Sequence, residues 1–220
     1  MATRHGRGRL RALLPLALAA MSCGGPKPLT LPSEPVDRAA TCGVVATAAA
    51  RRASADIKTS LPIAAEGRIL HYALLGASSD GRFSSETAGA IVQRMRALEP
   101  EVTGGDWPAL APACKAAFPD ADRADVVLPK ERLDAQLGCS VLAQFVATAL
   151  EPAKAQYGNQ IADYRRLRGR LSDRVGPDLR ARVGGSVEAQ RGAEAEAMAK
   201  IVRAGSPAAT LAECAKRFGA

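Results

Sequence analysis

Apolar residues recur every three to four positions through most of this chain, a spacing that gathers them on one face of an α-helix. Cys42, Val45, Ala49 and Ala53 follow it, as do Cys139, Leu142, Val146 and Ala149. Thr87, Ile91, Met95 and Leu98 make a third stripe behind a Ser84/Ser85 cap, and Leu211, Cys214 and Phe218 a fourth. Long alternating runs of Val, Ile and Thr are absent. The pattern predicts helices over 41–59, 63–76, 84–98 and 107–118 in the first half. In the second half it predicts them from Pro129 to Leu150, then over 153–175, 179–203 and 207–218. Prolines and glycines set the breaks, at Leu61-Pro62, Asp80-Gly81, Glu99-Pro100, Pro152, Pro177, Gly184-Gly185 and Gly205-Ser206-Pro207. An all-α protein is expected.

Alanine dominates the apolar residues, against four Phe, three Tyr and one Trp. Alanine favours helix and lets helices approach closely, but it contributes little apolar area, so the cores should be thin and need fastening. The cysteines supply candidates. Besides Cys23 there are Cys42, Cys114, Cys139 and Cys214, an even set that allows three pairings. Two near-equal loops of 72 and 75 residues favour Cys42–Cys114 and Cys139–Cys214. Each first cysteine opens an Ala/Val-rich helix, and each second one lies four residues before Phe118 or Phe218. A disulfide-stapled helical bundle is therefore expected, read as two duplicated three- or four-helix units over 41–118 and 138–220, with 119–137 as connector and helix start. Chance likeness between alanine-rich helices is the competing reading of the duplication.

The N-terminus reads as an address. Arg4, Arg7, Arg9 and Arg11 precede an apolar run from Ala12 to Met21, and no acid occurs before Glu34. Ten apolar residues are too few to span a hydrocarbon layer of about 30 Å, whereas charge followed by a short apolar run suits a secretory leader. Its end, Ala19-Ala20-Met21-Ser22-Cys23, resembles the lipobox of bacterial lipoproteins. The resemblance covers residues 1–23 and implies removal of 1–22, lipidation (diacylglycerol, palmitate) of Cys23 and a periplasm-facing place in the bacterial cell envelope, anchored to a membrane. Ala20 stands where the family prefers leucine, and Ala17-Leu18-Ala19 offers ordinary signal peptidase a competing cut. Residues 24–38 carry four prolines and two glycines with no periodicity, so 23–40 is expected to be a tether.

Charge and candidate chemistry change the picture less. Loss of residues 1–22 removes four arginines and no acid, taking the net charge from +8 to +4. The remaining basicity concentrates late, with seven arginines between Arg165 and Arg182 against Asp173 and Asp178. On an exported protein such a face suits anionic lipid, an acidic envelope polymer or an envelope protein, and no nucleic acid is expected. Arg165, Arg166, Arg168, Arg170 and Arg174 with Trp107 are the candidate partner surface. Beyond the leader the one histidine is His71, which excludes HExxH zinc sites and bis-histidine haem by count. There is no CxxC, GxGxxG or phosphate loop, so no cofactor, metal or catalytic residue is assigned. The expectation is an envelope lipoprotein that binds or organises a partner without catalysis. The alternative is a small hydrolase acting on glycan or lipid through His71 or carboxylates such as Glu66, Glu86, Glu99 and Glu101.

Overall fold

The computed structural model describes residues 27–56 and 58–219. The leader, the lipobox and Cys23 lie outside the described residues. The helices are α1 (Pro35–Ala53), α2 (Ile63–Gly76), α3 (Ser85–Gly104), α4 (Ala111–Ala117), α5 (Arg132–Leu150), α6 (Lys154–Val183), α7 (Val187–Val202) and α8 (Pro207–Phe218). Short 3₁₀ turns cover Trp107–Leu110, Pro119–Asp122 and Glu151–Ala153. Among the described residues there is no strand, only an isolated parallel bridge from Lys27 to Gly105. The protein is all-α, as the periodicity predicts.

Several boundaries differ from the expected ones, each for a local reason. Helix α1 starts at Pro35 instead of residue 41, because the Glu34 carboxylate accepts from the Asp37 N–H at 2.7 Å and Pro35 sits at the first helical position. Residues 35–40, expected in the tether, are therefore helix, with Ala39 and Ala40 fully buried. Just upstream, the Asp106 N–H donates to the Lys27 carbonyl at 2.9 Å, while Leu29 and Leu31 pack against the core. The described part of the proline-rich segment thus lies on the bundle. Helix α1 also stops early, at Ala53, where Asp56 gathers a turn by accepting from the Lys58 N–H and the Thr59 hydroxyl. Helices α3 and α6 run through Pro100 and Pro177, which were expected to end them. Both prolines are exposed, so the carbonyl each deprives of a donor can turn to water. Val175 and Leu179 on either side of Pro177 are buried, which holds α6 on its course.

Helices α2 and α3 pack on α1, and α6 and α7 pack on α5; α2 then meets α7 and α8, joining the halves. One hydrophobic cluster runs through both, including Val45, Tyr72 and Leu74 from the first and Leu142, Met198 and Leu211 from the second. Cys42 is bonded to Cys114 and Cys139 to Cys214, each pair closing its own half within that shared cluster. Several hydrogen bonds cross the divide, among them the Phe83 N–H to the Ala195 carbonyl at 3.0 Å and Arg203 Nη2 to the Ser78 carbonyl at 3.2 Å. His71 Nε2 meets the Val202 carbonyl at 2.6 Å, and the Tyr157 hydroxyl donates to the Leu61 carbonyl at 2.6 Å.

Ion pairs fix the helix ends. Arg94 on α3 grips Asp37 on α1 through both carboxylate oxygens, at 2.6 and 3.2 Å. Asp134, at the start of α5, is buried yet receives Arg182 from the end of α6 at 2.6 Å and Lys200 from α7. Burial alone would push the Asp134 carboxyl up, but the hydrogen bonds from Lys200 and Arg182 outweigh it and hold the group below its usual range.

Candidate functional site

Helix α6 buries Leu167, Leu171, Val175 and Leu179 and leaves its arginines on the exposed remainder. They are not equally available. Arg165 pairs with Glu151 at 2.6 Å, Arg166 pairs with Asp163, and Arg174 donates to the Phe218 carbonyl at the end of α8 at 3.1 Å. Arg182 belongs to the Asp134 cluster. Arg168, Arg170 and Arg180 are exposed and make no ion pair among the described residues. The basic stretch is thus partly structural, and its free charge sits on three arginines, of which sequence reasoning singled out Arg168 and Arg170.

Trp107 opens the 3₁₀ turn before α4 and is half-buried against the main core. The Arg52 guanidinium lies over its ring at 4.4 Å, so one face is already occupied by a cation. Trp107 contacts the α1 side of the bundle, whereas the α6 arginines belong to a helix packed on α5 and α7. The two candidate surfaces stand on different parts of the molecule.

The residues named for a hydrolase each have separate surroundings. His71 is fully buried on α2; burial lowers its pKa, against the opposing pull of the Val202 hydrogen bond, and its Nδ1 has no partner among the described residues. Glu66 is half-buried, with its carboxyl raised mainly by burial, and it lies 3.5 Å from the Tyr157 hydroxyl with Arg51 nearby. Glu86 sits exposed in the first turn of α3, where an acid complements the helix dipole. Glu99 and Glu101 are exposed near the other end of α3. No two of these groups hydrogen-bond to each other among the described residues.

Two concavities were not expected from the sequence. One, of about 260 Å³, lies between α1, α2 and α4, with Val45, Ala49, Ala53, Tyr72, Arg68 and Asp122 among its lining. It shows why Ala49 and Ala53, expected to face inward, are open instead: the side chains around them are too small to close the space. The other, of about 270 Å³, is a cleft between α6 and α7 with α5 beneath it. Among the described residues one stretch, within Arg132–Val183, is long and apolar enough to cross a membrane, and 67% of it is buried inside the bundle, as a core helix is. Among the described residues no cluster of His, Cys, Asp and Glu is grouped for a metal. No known protein family, no curated protein and no solved structure matches this chain.

Proposed function

We propose that this chain is a lipid-anchored protein of the bacterial cell envelope whose helical body works by binding a partner, not by catalysis. The observation that carries the reading is the run of residues 1–23, basic then apolar, ending in a lipobox-like cysteine. Two features support it. The cysteines beyond Cys23 are spent on disulfides that suit an oxidising compartment. Lys27, four residues after Cys23, is already held to the bundle by the Asp106 N–H, so an anchor at Cys23 would hold the bundle close to the membrane. The partner surface we assign is the outer face of α6, where Arg170 and Arg180 offer unpaired charge to anionic phospholipid headgroups. The hydrolase alternative has Glu66 in its favour, a carboxyl raised by burial beside a tyrosine hydroxyl, but it lacks a second reactive group there.

Intact-mass measurement of the membrane-extracted protein tests the anchor. The expected mass corresponds to residues 23–220 plus a lipid modification, and Cys23→Ser should move the protein to the soluble fraction. A free N-terminus at Ala20 would overturn lipidation while keeping export. For the surface, co-sedimentation with phosphatidylglycerol vesicles should weaken about thirtyfold in an Arg170→Gln/Arg180→Gln variant, since each basic side chain contributes about 1 kcal/mol near an anionic surface. Unchanged sedimentation would remove that role from α6.

A further inference from the structure

Helices α6 and α7 both lie on α5 and leave a cleft between them. At one end α7 is drawn tight against α5 at Gly138, where an added Cβ would come within 2.8 Å of the Ala197 carbonyl oxygen and the Ile201 side chain. The N-terminal half of α7, through Gln190 and Glu194, lines the cleft, of about 270 Å³, with α6. Leu137, Val175 and Leu179, a small apolar cluster separate from the main core, form its apolar part. Ser140 and Ser172 add a hydroxyl pair, 3.2 Å apart, in which one proton remains free to donate elsewhere.

Two charges complete the lining. Arg168 from α6 and Glu194 from α7 both border the cleft, yet they do not pair with each other, and neither makes an ion pair among the described residues. An opposite-sign pair held apart across a partly apolar gap is complementary to a molecule that carries both charges. We propose that this cleft binds a small zwitterion with an aliphatic body, of the α-amino-acid class. The carboxylate would lie on the Arg168 guanidinium, the ammonium on the Glu194 carboxylate, and the aliphatic part against Leu137, Val175 and Leu179. The cleft is slightly smaller than sites for drug-sized ligands, which run from about 300 Å³ upward, and this suits a ligand of amino-acid size. The proposal needs neither the lipid anchor nor the outer face of α6, so its failure would leave both standing.

The test is titration calorimetry of the mature chain with L-leucine, N-acetyl-L-leucine and L-leucinamide. L-leucine should bind one to one, and each capped compound at least about tenfold more weakly, because each has lost one of two charge-assisted contacts. Arg168→Gln should weaken L-leucine and erase its advantage over leucinamide, while Glu194→Gln should erase its advantage over the N-acetyl compound. A merely structural role for either residue would not produce that crossed pattern. Both side chains lack protein ion pairs, so the substitutions should leave folding within about 0.5 kcal/mol of the parent, checked by thermal denaturation. No binding of L-leucine, equal binding of all three compounds, or variants that weaken all three alike would overturn the proposal.

Discussion

His71 can keep only one charge state comfortably. Its Nε2–H donates to the Val202 carbonyl, and its Nδ1 is buried without a partner, so protonation would place both a charge and an unsatisfied donor in the core. Burial accordingly lowers its pKa from 6.5 in the folded state. As pH falls through that value the unfolded chain takes up a proton that the folded chain refuses, so the unfolded state binds more protons and stability drops with pH. The loss should begin near pH 6.5 and continue downward to the folded pKa. Glu66, raised by burial, acts in the opposite sense at lower pH: its folded state holds a proton above 4.5 that the unfolded state releases, so its contribution declines as pH rises. Urea midpoints of the protein between pH 7.5 and 5.5 should therefore fall as pH is lowered, and His71→Gln should flatten that slope. A flat profile in the parent protein would show that the imidazole is not held neutral by the fold. The sequence placed His71 on a helix but could not show that α2 would press it onto the end of α7, since that contact spans 131 residues.

At the scale of the helix, glycine separates packing from propensity. Gly138 in α5 lies where a methyl group would strike the backbone of α7, a neighbour that cannot rotate away. Gly169 in α6 meets nothing within 4 Å. Alanine at both positions gains helix propensity, but only at Gly138 must it also force two helices apart. Gly169→Ala should stabilise by about 0.5–1 kcal/mol, and Gly138→Ala should destabilise by about 1–3 kcal/mol, both read from chemical denaturation. Stabilisation by Gly138→Ala would mean that α7 is not seated so closely. The same contrast explains what the sequence revealed. Helix α2 over 63–76 and helix α8 over 207–218 could be read from periodicity and flanking prolines. The early start of α1 was legible too, from Glu34-Pro35 as cap and first position, although the proline-rich composition around it argued for tether. The passage of α3 and α6 through Pro100 and Pro177 was not, because it depends on which way those residues face once their helices are packed. The cleft left one trace, Ser140 and Gln144 at four-residue spacing within the largely apolar middle of α5. That pair shows a helix with a polar side, but the charges that would define a ligand come from two other helices.

For the whole molecule the question is whether two stapled halves are also two folding units. The disulfides span 72 and 75 residues and do not cross from one half to the other, which suits separate units. The core argues otherwise, since one cluster contains both bridges and α2 packs on α7 and α8 of the other half. Area decides between them. A half built largely on alanine buries little apolar surface alone, and chains of its size are marginal without help, so much of its stability must come from the face it shares. A cross-link closing a loop of this length adds about 4–5 kcal/mol in the chain-entropy model, comparable to the whole stability of a small domain. Replacing Cys42 and Cys114 together by alanine should therefore lower stability by about 4 kcal/mol, and so should replacing Cys139 and Cys214. Neither change should release one half alone: fluorescence of Trp107, which reports on the first half, and far-ultraviolet circular dichroism, which follows every helix, should lose signal at the same denaturant concentration in each variant. In the Cys139/Cys214 variant that coincidence is the sharper reading, because Trp107 lies outside the loop that has been opened. If Trp107 kept its native signal there while much of the helicity melted, the halves would be separate domains that merely touch, and the shared core would be an interface between them.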